Sequence, residues 1–314
     1  MKRRVCSLSV DLDPISCYYR IHALGPPPAG IAEVIAKKAV PRFLETFARH
    51  GVRATFFVVG SDLESTAVRR LVKDIAVAGH ELGNHSYAHP YDLARLPRAR
   101  VREEIRRCHD LLGTAIGVTP EGFRAPGYDL SADIVDELGA LGYRYDSSIF
   151  PAPGYYAVKA AILTGLRLMG RKSGAVMTNP RALLAPADPY RPDPRAPWSR
   201  GQATLVELPI AVTPGLRVPA IGTNLLCAPT ALRARWLEDM RKRPFFNFEM
   251  HGIDLIDAEL DGIPAELGLR QVDLRLPLAA KRRALEATLG RLALEYEIVP
   301  LREVALRVQR EGRL

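Results

Sequence analysis

Two histidines four residues apart, His85 and His89, are the side chains of this sequence most suited to binding a metal ion. They lie in the segment Gly79–His89, which reads GHELGNHSYAH. Such a pair shares one face of a helix, or converges across a tight turn if the segment is not helical. Imidazole nitrogens are common ligands of zinc-like ions. A polar loop can carry the same pair, so the metal hypothesis depends on ligands from elsewhere in the chain.

Further polar clusters follow predicted strands directly, as the histidine pair does. These clusters are Asp11/Asp13, Arg124, Asp146 and His251. Because parallel strands of a barrel all end at the same rim, these side chains are expected to meet there. Each also has a structural alternative. The aspartate pair could belong to a strand-end turn and Arg124 to the surface. Asp146 could be a turn or N-cap residue, and His251 could be hydrogen-bonded within the core.

The elements that must position these residues alternate between strand and helix. Short apolar runs predict strands at residues 5–10, 54–59, 80–84, 122–124, 143–145, 205–210, 245–250 and 297–299. Amphipathic segments between them predict helices, so the expected fold is α/β, with a mainly parallel sheet closed or nearly closed into a barrel. An open doubly wound sheet is the alternative, but no glycine-rich phosphate loop follows the first strand. Residues 14–30 are expected to form a loop in which Tyr18, Tyr19 and His22 face the substrate.

The segment 151–200 is a basic, proline-rich insertion. It contains eight Lys and Arg residues against two aspartates, so it holds most of the chain's net charge of +9. A helix is predicted over residues 155–172, with cations near its end. This helix either packs on the barrel or lies on an anionic membrane or a phosphorylated lipid carrier.

Composition places the chain among ordinary folded proteins. It has 314 residues, 47% of them hydrophobic and 25% charged, which predicts one domain, residues 1–314, including the insertion. Its four cysteines show no CxxC spacing, and no apolar run is long enough for a signal peptide or a membrane span. We therefore expect a cytoplasmic protein, with peripheral attachment to the inner face of the membrane left open. No aromatic-interleaved basic motif predicts specific nucleic-acid binding.

Five segments together resemble the motifs of the polysaccharide deacetylase family (carbohydrate esterase family four, with the chitooligosaccharide deacetylase homology domain). They are SVDLD at residues 9–13, NHSYAH at 84–89, FRAPGY at 123–128, YDSS at 145–148 and FEMH at 248–251. The resemblance implies a TIM-barrel-like, distorted (β/α) barrel of the seven-stranded deacetylase type. It also implies a divalent metal, most often zinc (with cobalt, nickel or manganese as alternatives), held by Asp13, His85 and His89.

The resemblance further implies roles for the other polar residues. Asp11 is the general base, Arg124 is its ion-pair partner, and His251 is the general acid. Asp146 is expected beside His251, where it raises the pKa of the imidazole. A backbone N–H near Gly127 or Tyr128 is expected to stabilise the oxyanion.

One departure from the family pattern affects the expected substrate. Many members have two adjacent aspartates, whereas this chain has Asp-Leu-Asp; residues i and i+2 of an extended segment still share a face. The spacing resembles a subgroup of intracellular, cyclic-imidase-like and peptidoglycan deacetylases. The leading hypothesis is a metal-dependent hydrolase that removes the N-acetyl group of an amino sugar, in a lipid-linked or anionic glycan. The alternatives are a deformylase of a formamido sugar, an amidase acting on a small cyclic amide, and a non-catalytic glycan- or lipid-binding barrel.

Overall fold

The computed structural model describes residues 4–312. Eight strands form one parallel sheet: β1 Arg4–Asp11, β2 Thr55–Val58, β3 Glu81–Asn84, β4 Gly122–Phe123, β5 Tyr145–Asp146, β6 Val206–Glu207, β7 Phe245–His251 and β8 Tyr296–Ile298. Each coincides with a strand predicted from an apolar run, with ends that differ by a few residues. The long strands β1 and β7 are almost continuously buried, as expected for strands covered on both faces.

The sheet curls around β1 to form most of a barrel. Its strand order is β6-β5-β4-β3-β2-β1-β7, and β8 pairs with β1. β1 pairs with β7 through Val5–Asp11, with β2 through Ser9–Asp11, and with β8 through Arg4–Cys6. The predicted distorted (β/α) barrel of seven-stranded type is therefore confirmed, with β8 as an eighth strand beside the amino-terminal half of β1.

No strand ladder joins β6 to β7 within residues 4–312, and Asn247 bridges this gap instead. Its side-chain amide donates to the backbone oxygens of Leu208 at 3.0 Å and Pro209 at 3.3 Å, while its own backbone oxygen accepts from Ala211 N–H at 3.2 Å. These bonds satisfy backbone groups that would otherwise lie unpaired at the open edges. The two ends of the sheet are thereby held together at the rim.

Helices surround the sheet, on its outside and at its carboxyl-terminal rim. They are α1 Ile15–Ile21, α2 Val40–Arg49, α3 Thr66–Val77, α4 Arg98–Leu111, α5 Ala132–Ala140, α6 Pro153–Leu168, α7 Gly222–Cys227, α8 Thr230–Met240, α9 Ala265–Gly268, α10 Leu278–Glu295 and α11 Leu301–Glu311. Ser65 and Ser131 cap α3 and α5, each accepting a backbone N–H of the first turn. Among residues 4–312, no helix is both long and apolar enough to cross a lipid bilayer.

The segment predicted as a loop at residues 14–30 begins with helix α1, so that prediction is wrong for its first half. Ile15, Tyr18 and Tyr19 are buried and pack into the main core. Their spacing of three and four residues is helical, and burial of three large side chains outweighs the β-branched and aromatic composition of the segment. The chain returns to irregular structure only after His22.

The insertion forms α6 and a long irregular segment that closes back onto α1. After α6, the Arg171 guanidinium donates to the backbone oxygen of His22 at 2.7 Å, and Ser173 Oγ donates to that of Ile21 at 2.6 Å. Within α6 only Tyr156 is buried. The helix thus lies over the carboxyl-terminal rim of the barrel, held there by the segment that follows it, without a broad buried face of its own.

Candidate active site

Asp13, His85 and His89 converge at the rim, and we call them the metal-ligand group. Oδ1 of Asp13 lies 3.1 Å from Nε2 of His85 and 3.2 Å from Nε2 of His89. All three are buried, and each offers a ligand atom within 4.8 Å of the others. Burial raises the pKa of Asp13, but the two imidazoles outweigh this effect and hold it well below its ordinary value. One carboxylate and two imidazoles are the donor set of catalytic zinc sites, so these residues fit the metal that the family pattern implies.

A left-handed turn, not a helix, brings the two histidines together. Ser86 and His89 have φ values of 63° and 53°, a conformation that costs non-glycine residues about 1–3 kcal/mol. The turn is held by Asn84 Oδ1, which accepts Ser86 N–H at 2.8 Å, and by Ser86 Oγ, which accepts His89 N–H at 3.2 Å. The ring centroids of His85 and His89 are consequently 4.8 Å apart.

Contacts behind the metal-ligand group orient its imidazoles. Nδ1 of His85 lies 2.7 Å from the backbone oxygen of Arg124; since a carbonyl only accepts, this nitrogen carries a proton, and Nε2 is the ring atom left to bind an ion. Nδ1 of His89 lies 3.4 Å from Sγ of Cys17, which also accepts a hydrogen bond from Arg20 at 3.1 Å. Both histidines thus turn Nε2 toward Asp13.

Asp11 and Arg124 form the expected ion pair. Arg124 Nη1 donates to Asp11 Oδ1 at 2.6 Å, and both side chains are at most 1% exposed. Three further guanidinium N–H groups donate to Ser9 Oγ and to the hydroxyl and backbone oxygens of Ser147, at 2.8–3.0 Å. Oδ2 of Asp11 lies 3.8 Å from Nε2 of His85, which places the free oxygen of this carboxylate beside the metal-ligand group.

His251 lies on the other side of the cavity and pairs with Glu249. Nδ1 of His251 is 3.0 Å from Oε1 of Glu249, and the Tyr128 hydroxyl lies 3.1 Å from that oxygen and 3.0 Å from Nε2 of His251. Burial lowers the pKa of His251, but the surrounding carboxylates, first Glu249 and then Asp13 and Asp11, raise it to about 10. An imidazole in this setting is protonated at neutral pH.

Asp146 does not lie beside His251, so that expectation is corrected. Its Oδ1 accepts from Ser148 Oγ at 2.7 Å and its Oδ2 accepts from Ser148 N–H at 3.0 Å. It packs against Glu207 of β6, and burial raises the pKa of both carboxyls. Asp146 therefore shapes the turn after β5, and Glu249 takes the place expected for it.

Glu249 belongs to the FEMH motif, but its role was not predicted from the sequence. It precedes His251 by two residues on β7, so both side chains point to the same face of the strand. A carboxylate inside a buried and mostly apolar strand was the signal that could have found it. Asp11, Glu249 and His251 also form a second group whose ligand atoms lie within 4.8 Å of one another, but Arg124 already neutralises Asp11.

The metal-ligand group, Asp11 and His251 all open into one cavity of about 300 Å³, which we call the substrate cavity. Of the residues predicted to contact substrate, Tyr18, His22, Gly127 and Tyr128 line it. Tyr19 does not: it is buried in the main core, on the side of α1 turned away from the cavity, so this prediction is wrong. The Tyr128 N–H, one of the two backbone groups expected to stabilise the oxyanion, already donates to the backbone oxygen of Ala125 at 3.2 Å.

Several lining residues were not predicted from sequence. Helix α6 contributes Tyr155, Val158, Lys159, Ile162 and Leu163, and the carboxyl-terminal half of the chain contributes Ile221, Thr223, Asn224, Ile253, Gln271 and Asp273. None of these belongs to a motif with chemistry of its own. Their position at the cavity depends on how the insertion and the later loops fold over the rim.

Comparison with known proteins supports the resemblance to the polysaccharide deacetylases. Residues 27–145, which make up less than half of the chain, match the family described as polysaccharide deacetylase. The matched region contains His85, His89 and Arg124; Asp13 and His251 lie outside it and join the site through the fold.

Two relatives and one structure show how far the similarity extends. A peptidoglycan-N-acetylglucosamine deacetylase of Bacillus cereus is 36% identical over 86 residues, 27% of this chain and 30% of that protein. A chitooligosaccharide deacetylase of Bradyrhizobium is 28% identical over 133 residues, 40% of this chain and 59% of that protein. The chain spans less than two thirds of the length of these curated relatives. A Mycobacterium smegmatis structure assigned to the polysaccharide deacetylases has the same fold, with a TM-score of 0.61, 18% identity and coverage of 100% of this chain and 93% of that one.

Proposed function

We propose that this protein is a metal-dependent hydrolase that removes the N-acetyl group of an amino sugar. The observation that carries the proposal is the placement of the metal-ligand group between a carboxylate and a protonated imidazole in one cavity. Amide hydrolysis needs a base for the attacking water and an acid for the leaving amine, and these two side chains supply both.

Asp13, His85 and His89 would hold the ion, and zinc suits their nitrogen and oxygen donors best. When bound, such an ion supplies Lewis acidity for the amide carbonyl and for water. The chain's own residues supply the proton transfers. Asp11 accepts the proton of the attacking water, and its contact with Arg124 aims that carboxylate at the cavity.

His251 donates the proton that the leaving nitrogen needs, because an amine anion is too poor a leaving group to depart unprotonated. The contact with Glu249 fixes which ring nitrogen is bound and holds the pKa of His251 high. Removal of acetate thus consumes one water, and the proton taken up by Asp11 balances the one given by His251. The free amine and acetate are the products.

The acceptor is proposed to be a lipid-linked or anionic glycan. Tyr18, Tyr91 and Tyr155 give the cavity aromatic surfaces on which a sugar ring can stack, and α6 adds an aliphatic wall. A wholly polar polysaccharide has no hydrocarbon chain to bury against such an aliphatic wall. The insertion's excess of cations supports an acceptor that carries negative charge.

We further propose that the protein works in the cytoplasm, at the inner face of the membrane. Several large apolar side chains near the end of α6 and beyond it are exposed: Ile162 is 57%, Leu168 84%, Met169 66% and Leu184 77% exposed. Exposed apolar residues among Lys and Arg side chains are typical of segments that rest on anionic lipid.

The test is product analysis with metal control. Protein freed of metal by a chelator is incubated with triacetylchitotriose, with and without added zinc, and acetate and formate are quantified. We expect zinc-dependent acetate release. Release of formate alone from a formamido sugar would favour the deformylase, hydrolysis of a cyclic amide such as dihydrouracil would favour the amidase, and no turnover of any substrate would favour the non-catalytic barrel.

A further inference from the structure

Lys159 is the one lysine or arginine among the described residues that line the substrate cavity. It lies on α6, in the middle of the apolar wall formed by Val158, Ile162 and Leu163. Within residues 4–312 its ammonium group makes no hydrogen bond and no ion pair; the Tyr156 ring is a cation–π neighbour, 5.7 Å from Nζ. Most lysines near a protein surface extend into water, whereas this one is half-buried at the wall of a cavity.

The carboxylates of the cavity cannot account for this cation, because each has another partner. Asp11 is paired with Arg124, and Asp13 lies against the two histidines. Asp273 accepts a hydrogen bond from Gln271. Burial lowers the pKa of Lys159 to about 8, as expected for an ammonium group without a bound counter-ion. The carboxylate of Asp129 raises this pKa, but it lies beyond ion-pair distance and does not outweigh the burial.

The wall around Lys159 is aliphatic and open. Val158 is 61% and Ile162 57% exposed, although both line the cavity, so they form an apolar strip that runs from the cavity to its mouth. An exposed strip of this kind beside a single cation matches a ligand with a negative head and a hydrocarbon chain. The contacts of Arg171 and Ser173 with the segment after α1 hold α6 in this position.

We propose that Lys159 is an anion subsite that binds a phosphate group of the substrate, and that Val158 and Ile162 bind a hydrocarbon chain attached to that phosphate. The inference deepens the proposed function and rests on it for the identity of the cavity as the substrate site. It narrows the acceptor to a sugar joined through phosphate to a lipid. The sugar then lies toward the metal-ligand group and the lipid toward the mouth of the cavity.

The subsite is tested by binding of three probes to the full-length protein, measured by calorimetry with and without zinc. The probes are n-octyl phosphate, inorganic phosphate and uncharged n-octyl glucoside, each used below its micelle concentration where it has one. The variants are Lys159→Met, which keeps the side-chain length, and Lys172→Met, a matched change at an exposed lysine of the same insertion. Ile162→Ser removes part of the aliphatic wall.

We expect Lys159→Met to bind n-octyl phosphate about tenfold more weakly, since a charge-assisted hydrogen bond contributes roughly that factor or more. Lys172→Met should bind it as the unaltered protein does, and n-octyl glucoside should not distinguish the two lysine variants. Ile162→Ser should weaken both octyl ligands several-fold because it exposes part of the chain.

Three results would overturn the proposal. Equal binding of n-octyl phosphate to Lys159→Met and to the unaltered protein excludes the anion subsite, and equal losses in both lysine variants indicate diffuse surface charge. If inorganic phosphate binds as tightly as n-octyl phosphate, Val158 and Ile162 do not bind a hydrocarbon chain, and Lys159 is a site for free phosphate. Unchanged thermal unfolding of the variants shows that they fold. Because these measurements need no turnover, absence of acetate release refutes the proposed function without deciding the subsite.

Discussion

Nη1 of Arg124 lies 2.6 Å from Oδ1 of Asp11, in a pair closed to solvent on both sides. Asp11 ends β1 and Arg124 follows β4, with β2 and β3 between them in the sheet. The contact therefore crosses the barrel and joins two segments that pair with different neighbours. It both supports the rim and orients the proposed base.

Removal of this guanidinium should destabilise the fold strongly. Arg124→Met leaves the carboxylate of Asp11 buried without its partner, which typically costs about 3–5 kcal/mol in the free energy of unfolding. Urea titration followed by circular dichroism measures the change. Arg98→Met is the control, because Arg98 is exposed and its contacts with Asp133 and Asp136 contribute about 0–1 kcal/mol at most. Similar unfolding curves for the two variants would contradict a structural role for Arg124.

Asp11→Asn separates the chemistry from the fold. The amide oxygen can still accept from Arg124, but it cannot take a proton, so we expect zinc binding to persist while kcat falls about 10²–10⁴-fold. Acetate release and equilibrium dialysis of zinc measure the two effects. A variant that lost zinc together with activity would indicate that Asp11 is itself a ligand.

His89→Ala should abolish high-affinity zinc binding. In the unaltered protein, zinc at 100 times its dissociation constant should raise the free energy of unfolding by about 2.7 kcal/mol, since it binds only the folded state. The variant should show no such rise, and dialysis should find less than one zinc per chain. His50→Gln, at the end of α2 and outside the cavity, should behave as the unaltered protein does. A full zinc complement in His89→Ala would exclude the metal-ligand group.

The protonation of His251 should depend on Glu249. Because its pKa is raised to about 10 from an ordinary value near 6.5, the imidazolium stabilises the folded metal-free protein fully below about pH 6.5, and this stabilisation is lost as pH rises to about 10. Glu249→Gln removes the nearest carboxylate, so the pKa of His251 should fall and the alkaline limb of the kcat profile should move to lower pH.

Ring NMR signals of ¹⁵N-labelled histidine report this pKa directly, and no substrate is needed. Tyr128→Phe is the matched control: it keeps the buried ring next to Glu249 and removes only the hydroxyl, so the pKa should change less than in Glu249→Gln. If the His251 signals titrate identically in Glu249→Gln and in the unaltered protein, the pairing has no electrostatic role.

The exposed end of α6 should govern attachment to lipid. Leu168→Glu with Met169→Glu places two negative charges where two exposed apolar side chains stand, and binding to vesicles rich in phosphatidylglycerol should fall at least tenfold in a sedimentation assay. Leu294→Glu, at a similarly exposed leucine near the end of α10, should leave vesicle binding nearly unchanged. Equal losses in both variants would indicate a non-specific effect of charge.

Local patterns in the sequence were sufficient to predict the strands and most of the helices. The apolar runs in β1 and β7 indicate strands that are buried on both faces, and this can be predicted without knowing which strands they pair with. Helix α1 was not predicted because its buried tyrosines contact residues far along the chain, and such packing outweighs local preference. The spacing of His85 and His89 allowed both a helix and a turn, and the positive φ values of Ser86 and His89 decide for the turn.

By itself, the sequence determined the residue types of the site and the strand ends that carry them, because parallel strands bring their carboxyl ends to one rim. Only the tertiary structure decided which carboxylate meets His251, since Asp146 and Glu249 are both buried acids of the parallel sheet, and the folded chain places Asp146 against Ser148 and Glu249 against His251. It likewise decided that α6 forms a wall of the cavity and that Tyr19 does not. Contacts between segments distant in sequence depend on strand order and curvature, and no local pattern encodes these.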